Sequence, residues 1–119
     1  MEIHERLRAA IERAGVPAYL IEAKPTAQLP VVPDRYATYV RISTTNPLGC
    51  DNRDRMRRHA LRVDVFDISD PTDAVAAVRA SLEEAGFGIR SWRDLSEYEG
   101  AGYRVSMSVQ YNEDLDFTD

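Results

Sequence analysis

The stretch Leu61-Arg-Val-Asp-Val-Phe-Asp67, continued by Ile68-Ser-Asp-Pro-Thr-Asp-Ala-Val-Ala-Ala-Val-Arg-Ala-Ser-Leu-Glu-Glu-Ala-Gly86, changes period partway along. Leu61, Val63 and Val65 alternate with Arg62, Asp64 and Phe66, the period-two pattern of a half-buried strand over residues 59–67. Asp70-Pro71-Thr72-Asp73 then starts a helix. Asp70 takes the cap position, Pro71 the first helical position, and the Asp73 carboxylate favours the positive helix end. The helix is expected to run to about Ala85, with Val75, Val78, Leu82 and Ala85 as its apolar stripe. Ala74, Ala76, Ala77 and Ala80 allow close packing on a sheet, and Gly86 closes the helix.

Toward the N-terminus, Thr38, Val40, Ile42 and Thr44 alternate with Tyr39, Arg41 and Ser43, which predicts a strand over residues 36–45. Ile3, Leu7, Ile11 and Ala14 recur at helical spacing, so residues 2–14 form an amphipathic helix stopped by Gly15 and Pro17. Tyr19-Leu20-Ile21 is a short apolar run with strand character. Pro25, Pro30 and Pro33 make residues 23–34 an irregular connection that holds at most a short edge strand. Toward the C-terminus, residues 89–95 read as a strand without a clean apolar face, suited to a sheet edge. The turn signal Glu99-Gly-Ala-Gly102 leads into the clearest strand, 103–111, where Tyr103, Val105, Met107, Val109 and Tyr111 alternate with polar residues. This order predicts an α+β fold: a mixed, mainly antiparallel sheet with two helices packed on one face. Residues 46–58 join two strands as a long hairpin loop, beyond the roughly 2 to 5 residues usual for such loops.

The 119 residues, 44% hydrophobic and 29% charged, suit a single domain spanning 1–119 with one ordinary core. The single cysteine, Cys50, excludes an intrachain disulfide, a cysteine zinc cluster and a CxxC pair. No apolar run reaches the length of a membrane span and the start lacks a secretory layout, so a soluble, unprocessed chain in a reducing cytoplasm is expected, with no membrane partner. The net charge of −5 argues against a protein that coats nucleic acid. Charge is unevenly distributed, however. Arg53, Arg55, Arg57 and Arg58 cluster, whereas residues 113–119 form an acidic tail holding Glu113, Asp114, Asp116 and Asp119. One end of the fold is thus expected to be positive and another negative. In a monomer this is solvated surface; in a ring it pairs one subunit with the next or with another partner.

Catalytic chemistry finds little to work with. His4 is expected to be exposed in the first helical turn and His59 to end the arginine-rich loop, which makes a two-histidine metal site a long-range coincidence. Glu83-Glu84, Glu97 with Glu99, and Asp114 with Asp116 lie on helix ends, turns or the tail rather than across a cleft. Asp64 lies within a strand but faces away from Val63 and Val65, which points to a solvated or cross-strand ion-paired role. Cys50 has no local base or oxyanion hole, and the glycines form no nucleotide-binding pattern. No enzyme activity and no cofactor are expected. Trp92 and Tyr98 suit a contact surface or core-edge packing.

The strand Leu61-Arg-Val-Asp-Val-Phe66, the helix Ala74-Val-Ala-Ala-Val-Arg-Ala-Ser-Leu82, Ala85-Gly86-Phe87, the final strand Tyr103-Arg-Val-Ser-Met-Ser-Val109 and the opening amphipathic helix together resemble the tail terminator (tail completion) proteins of long-tailed bacteriophages. The resemblance covers most of the chain in order and length but includes no catalytic motif. It implies a homohexameric ring that caps the head-proximal end of the tail tube, stops tube polymerisation and docks the head-tail connector or neck protein. The implied partners are a second copy, the tail tube protein and the connector, with DNA passing transiently through the lumen. The implied location is the virion, after assembly in the host cytoplasm. The 61–66 strand and 74–85 helix would be ring scaffold. Asn46, Leu48, Arg53, Arg55, Met56, Arg57, Arg58 and His59 would lie in a loop facing the lumen or a partner ring. Trp92, Tyr98, Asp114 and Asp116 are the candidate subunit-interface residues. A neck or head-closure protein shares this size and layout, and a small α/β ligand-binding module is the alternative outside virion assembly.

Overall fold

The computed structural model describes residues 2–23, 25, 31–45, 56–95 and 102–114. In chain order the elements are α1 (Ile3–Arg13), β1 (Ala18–Leu20), β2 (Arg35–Thr45), β3 (Met56–Asp67), α2 (Thr72–Glu84), β4 (Gly88–Leu95) and β5 (Tyr103–Asp114). The strands form one sheet in the order β1-β2-β3-β5-β4, with β1 parallel to β2 and every other pair antiparallel. The fold is therefore α+β with a mixed, mainly antiparallel sheet, as the periodicities predict, and β4 does lie at an edge.

Local chemistry sets the element ends. Glu2 and Glu5 reciprocate in a capping box at the start of α1. Asp70 accepts hydrogen bonds from the Thr72 amide and hydroxyl, but it sits one position before the cap, which Pro71 occupies. α2 therefore begins one residue later than the motif suggests. Its end follows the expectation: Phe87 N donates to Leu82 O and Gly86 N to Glu83 O, with Gly86 at φ +96°, a conformation that favours glycine.

Packing follows the register. Leu61, Val63 and Val65 of β3 lie opposite Val109, Met107 and Val105 of β5, and all six are buried. Ile3, Leu7, Ala10 and Ile11 of α1 and Ala74, Val78 and Leu82 of α2 join them in one cluster. Fully burying a side chain such as Leu82 is worth about 1.5–3 kcal/mol. The buried stripe of α2 is rotated from the expected one, because Ala74 and Ser81 are buried while Val75 and Ala85 are only partly so. The reason is a helix–helix contact: Ser81 Oγ donates to Ala10 O of α1 at 2.6 Å. The small residues thus serve approach to α1 as well as to the sheet.

The expected 46–58 loop is shorter than predicted. Met56, Arg57, Arg58 and His59 belong to β3, and their backbone pairs with Asp114, Glu113, Asn112 and Tyr111 of β5. His59 and Arg58 have ladder partners on both sides, in β2 and β5, whereas Arg57 and Met56 pair with β5. Arg57 and Arg58 keep their side chains in water, and their charges do not oppose pairing. These end rows contain only β2, β3 and β5, since β4 pairs no farther than Gln110 and β1 reaches only residues 37–39 of β2. The four residues from Met56 to His59 extend a tongue by about 10 Å, three-stranded in the rows of His59 and Arg58 and carried on by β3 and β5 at Arg57 and Met56. The molecule measures 51 × 31 × 22 Å and has a radius of gyration of 15.6 Å. A compact chain of this length would have about 13.5 Å.

Candidate functional site

The tongue carries Arg57 and Arg58, two of the candidate loop residues, on the strand start that runs past the β1 and β4 rows. Arg57 and Arg58 are exposed there. Asn46, Leu48, Arg53 and Arg55 lie outside the described residues, as do Tyr98 and Asp116. His59 corrects the expectation of a loop end: it is 3% exposed, its Nδ1 lies 3.0 Å from Thr44 Oγ1, and its ring faces Tyr111. Two residues before Leu61, it shares the core-facing parity of that strand. The proposed separation of charge is also corrected. In backbone register the acidic start of the tail runs beside the basic strand, Glu113 opposite Arg57 and Asp114 opposite Met56, rather than at another end of the fold. Opposite charges directly across a sheet stabilise by about 0.2–1 kcal/mol. Replacing Arg53, Arg55, Arg57 and Arg58 together by serine is therefore expected to cost about 1 kcal/mol or less in a urea melt. Assembly should fail instead; a large loss of stability would make these side chains part of the fold.

A second cluster lies on the opposite face of β3. Asp64 is only 5% exposed. Its Oδ1 accepts from Arg62 Nε at 3.1 Å, and its Oδ2 accepts from Arg62 Nη2 at 3.1 Å and from Arg104 Nε and Nη2 at 3.1 and 2.7 Å. Burial alone would push this carboxyl up. Hydrogen bonds from Arg62 and Ser106 and the charges of Arg104 and Arg62 outweigh burial and hold it below the usual carboxylate range. An ionised carboxylate with both oxygens engaged is a poor general acid or base. The cross-strand ion pair matches the expected role, but the burial exceeds it. Asp67, which the sequence does not single out, is likewise buried and accepts from Arg35 Nε at 2.6 Å. Among the described residues no group of three or more His, Cys, Asp and Glu is placed to hold a metal ion, and no helix is long and apolar enough to cross a membrane. His4 is half-buried beside Glu2, 3.1 Å away.

The third feature lies at the β4 edge. A register shift between Ile89 and Ser91 leaves Arg90 unpaired, so Ile89 and Trp92 both fall opposite core-facing residues, Val109 and Met107. Trp92 stays 55% exposed, with the Arg79 guanidinium 4.4 Å from its ring centroid. Between α2 and this edge runs an open groove of about 580 Å³, floored by Val105 and Met107 and walled by Val75, Ala76, Trp92 and Tyr103. Trp92 thus occupies a surface that suits contact. A scan against protein-family models and a search of curated proteins each return no match.

Proposed function

We propose that this chain is a structural, non-enzymatic protein of a bacteriophage tail. In this reading it closes with further copies into a hexameric ring on the head-proximal end of the tail tube, halts tube polymerisation and presents the surface to which the head connector docks. The observation that carries the reading is the tongue. Strands β2, β3 and β5 run past the rows paired by β1 and β4 and carry Arg57 and Arg58 outward on an elongated body. A ring subunit needs such a division of labour: a rigid sheet as scaffold, and a projection that reaches the lumen or the neighbouring ring. The element order supports it too, since β3, α2 and β5 coincide with the segments that resemble tail terminators.

The proposed work is geometric and requires no cofactor. Arginines of the tongue that face the lumen would meet passing DNA only through non-specific phosphate attraction, which salt weakens steeply. Its partners would be the tail tube protein, the connector and copies of itself, within the virion. Electron microscopy of the protein mixed with tail tubes of the phage that encodes it tests the reading: capped tubes support it, and bare tube ends refute it.

A further inference from the structure

We propose that the turn after β1 of one copy inserts Leu20 and Ile21 into the groove between α2 and the β4 edge of a second copy. The groove is open in a single chain and would be closed by its neighbour's turn. This contact deepens the ring reading and rests on it.

The turn is the first observation. Glu22 N donates to Leu20 O at 2.7 Å, and Ile21 N donates to Tyr39 O at 2.9 Å, which closes a tight three-residue turn centred on Ile21. Ile21 sits at φ +68°, a region that β-branched side chains avoid. Its side chain is nevertheless 68% exposed, and neighbouring Leu20 is 48% exposed. A strained, apolar, outward-facing turn gains nothing from burial within its own chain, and such strain marks places where something else holds it.

The groove is the second observation. Trp92 and Tyr103 are 55% and 43% exposed on its walls, and Ile68, 60% exposed, follows Asp67, the strand partner of Tyr103. Leu20 and Ile21 therefore lie at the β1 edge of the sheet, whereas Trp92 lies on the β4 edge with Tyr103 on the adjoining strand β5. With four inter-strand spacings between them, the edges lie roughly 19 Å apart. A two-fold dimer would have to seat each copy's turn in the other's groove at the same time, which edges this far apart oppose. A head-to-tail contact uses both on every copy and closes when the rotation divides a full turn. The charges agree as well. Glu22 is exposed beside the inserting turn, and Arg79, which lies over Trp92 and 3.9 Å from Glu83, stands on the groove.

Cysteine trapping on the full chain in a Cys50→Ser background tests the contact, alone and with tail tubes. Ile21→Cys chains mixed with Trp92→Cys chains are expected to form a disulfide-linked dimer that neither forms by itself. Ala76→Cys, on the exposed wall of the same groove, serves as a second reporter should Trp92→Cys fold poorly. Trp92→Ser should weaken self-association about tenfold or more, as expected for a central aromatic anchor. Homotypic disulfides forming as readily as the mixed one, a disulfide from Trp92→Cys to the tube protein, or no mixed disulfide from either reporter would each overturn the proposal. Hexameric rings on tubes without a mixed disulfide would leave the tail reading standing and remove this contact. A mixed disulfide with bare tube ends would keep the contact and remove the tail reading.

Discussion

Gly102→Ala is expected to lose about 3 kcal/mol or more of stability, a large fraction of what a small domain has. Gly102 enters β5 at φ +109°, and an added Cβ would press on the Asp67 carbonyl oxygen and lie 2.7 Å from Ile68 Cα. Both neighbours are backbone, and they belong to the point where the chain leaves β3 for α2. No flexible side chain can move aside, so the strand entry itself must shift. Strain at a glycine-only conformation and overpacking therefore act together. Gly86→Ala provides the comparison. Its φ of +96° carries the same conformational penalty, but the nearest atom to an added Cβ is Tyr111 Cε1 at 3.5 Å, an ordinary contact. It should cost only about 1 kcal/mol. Urea melts of the two variants check the ranking; a Gly102→Ala protein within about 1 kcal/mol of the parent would contradict it.

Asp64→Ala is expected to cost about 2–4 kcal/mol, because it leaves the Arg104 and Arg62 guanidinium groups without their shared carboxylate in the sheet. Arg62 and Arg104 are 43% and 21% exposed and can turn partly toward water, which keeps the cost below that of a fully buried pair. The same cluster sets a pH dependence. The Asp64 carboxyl titrates lower in the folded chain than in the unfolded one, so the unfolded chain binds more protons as the medium becomes acid. Its contribution is complete above the unfolded value, near pH 4, and is lost as pH falls through the folded value. Asp67 is shifted in the same direction: burial raises it, and hydrogen bonds from Ser69 and Arg35 more than offset that. Stability should therefore fall steeply below about pH 4, and less steeply in Asp64→Asn. Parallel slopes for parent and variant would show that the carboxylate is not preferentially stabilised by folding.

Much of the architecture is legible in residue periodicity. β3 and β5 alternate cleanly because each buries one face, and α1 carries a regular apolar stripe, so both periods survive in the sequence. β4 hides its face because the bulge at Arg90 shifts the phase partway along, bringing Ile89 and Trp92 to the same side. β2 behaves likewise: the shift between Arg41 and Ser43 leaves Ile42 62% exposed and brings Thr44 opposite His59. There β-branching records strand preference rather than burial. α2 departs from its expected stripe because Ser81 satisfies its hydroxyl on the Ala10 carbonyl, a contact no local pattern announces.

The candidate site divides in the same way. Trp92 is legible as an exposed aromatic, but the groove beside it depends on where α2 lies over the sheet. His59 has the parity of the core residues in its own strand, but its place just after an arginine-rich run masks that signal. The pairing of Arg57 with Glu113, and of Arg35 with Asp67, joins residues far apart in the chain and becomes visible only through strand register.

The central claim is that the sheet is the scaffold of a ring that terminates a tail tube. Electron microscopy of the full chain mixed with purified tail tubes, with class averages taken at the tube ends, tests it most directly. A hexameric ring is expected on one end of each tube, with adjacent subunits meeting edge to edge and the tongue directed at the lumen or the connector-facing rim. Bare tube ends, with the protein remaining monomeric beside them, would contradict it.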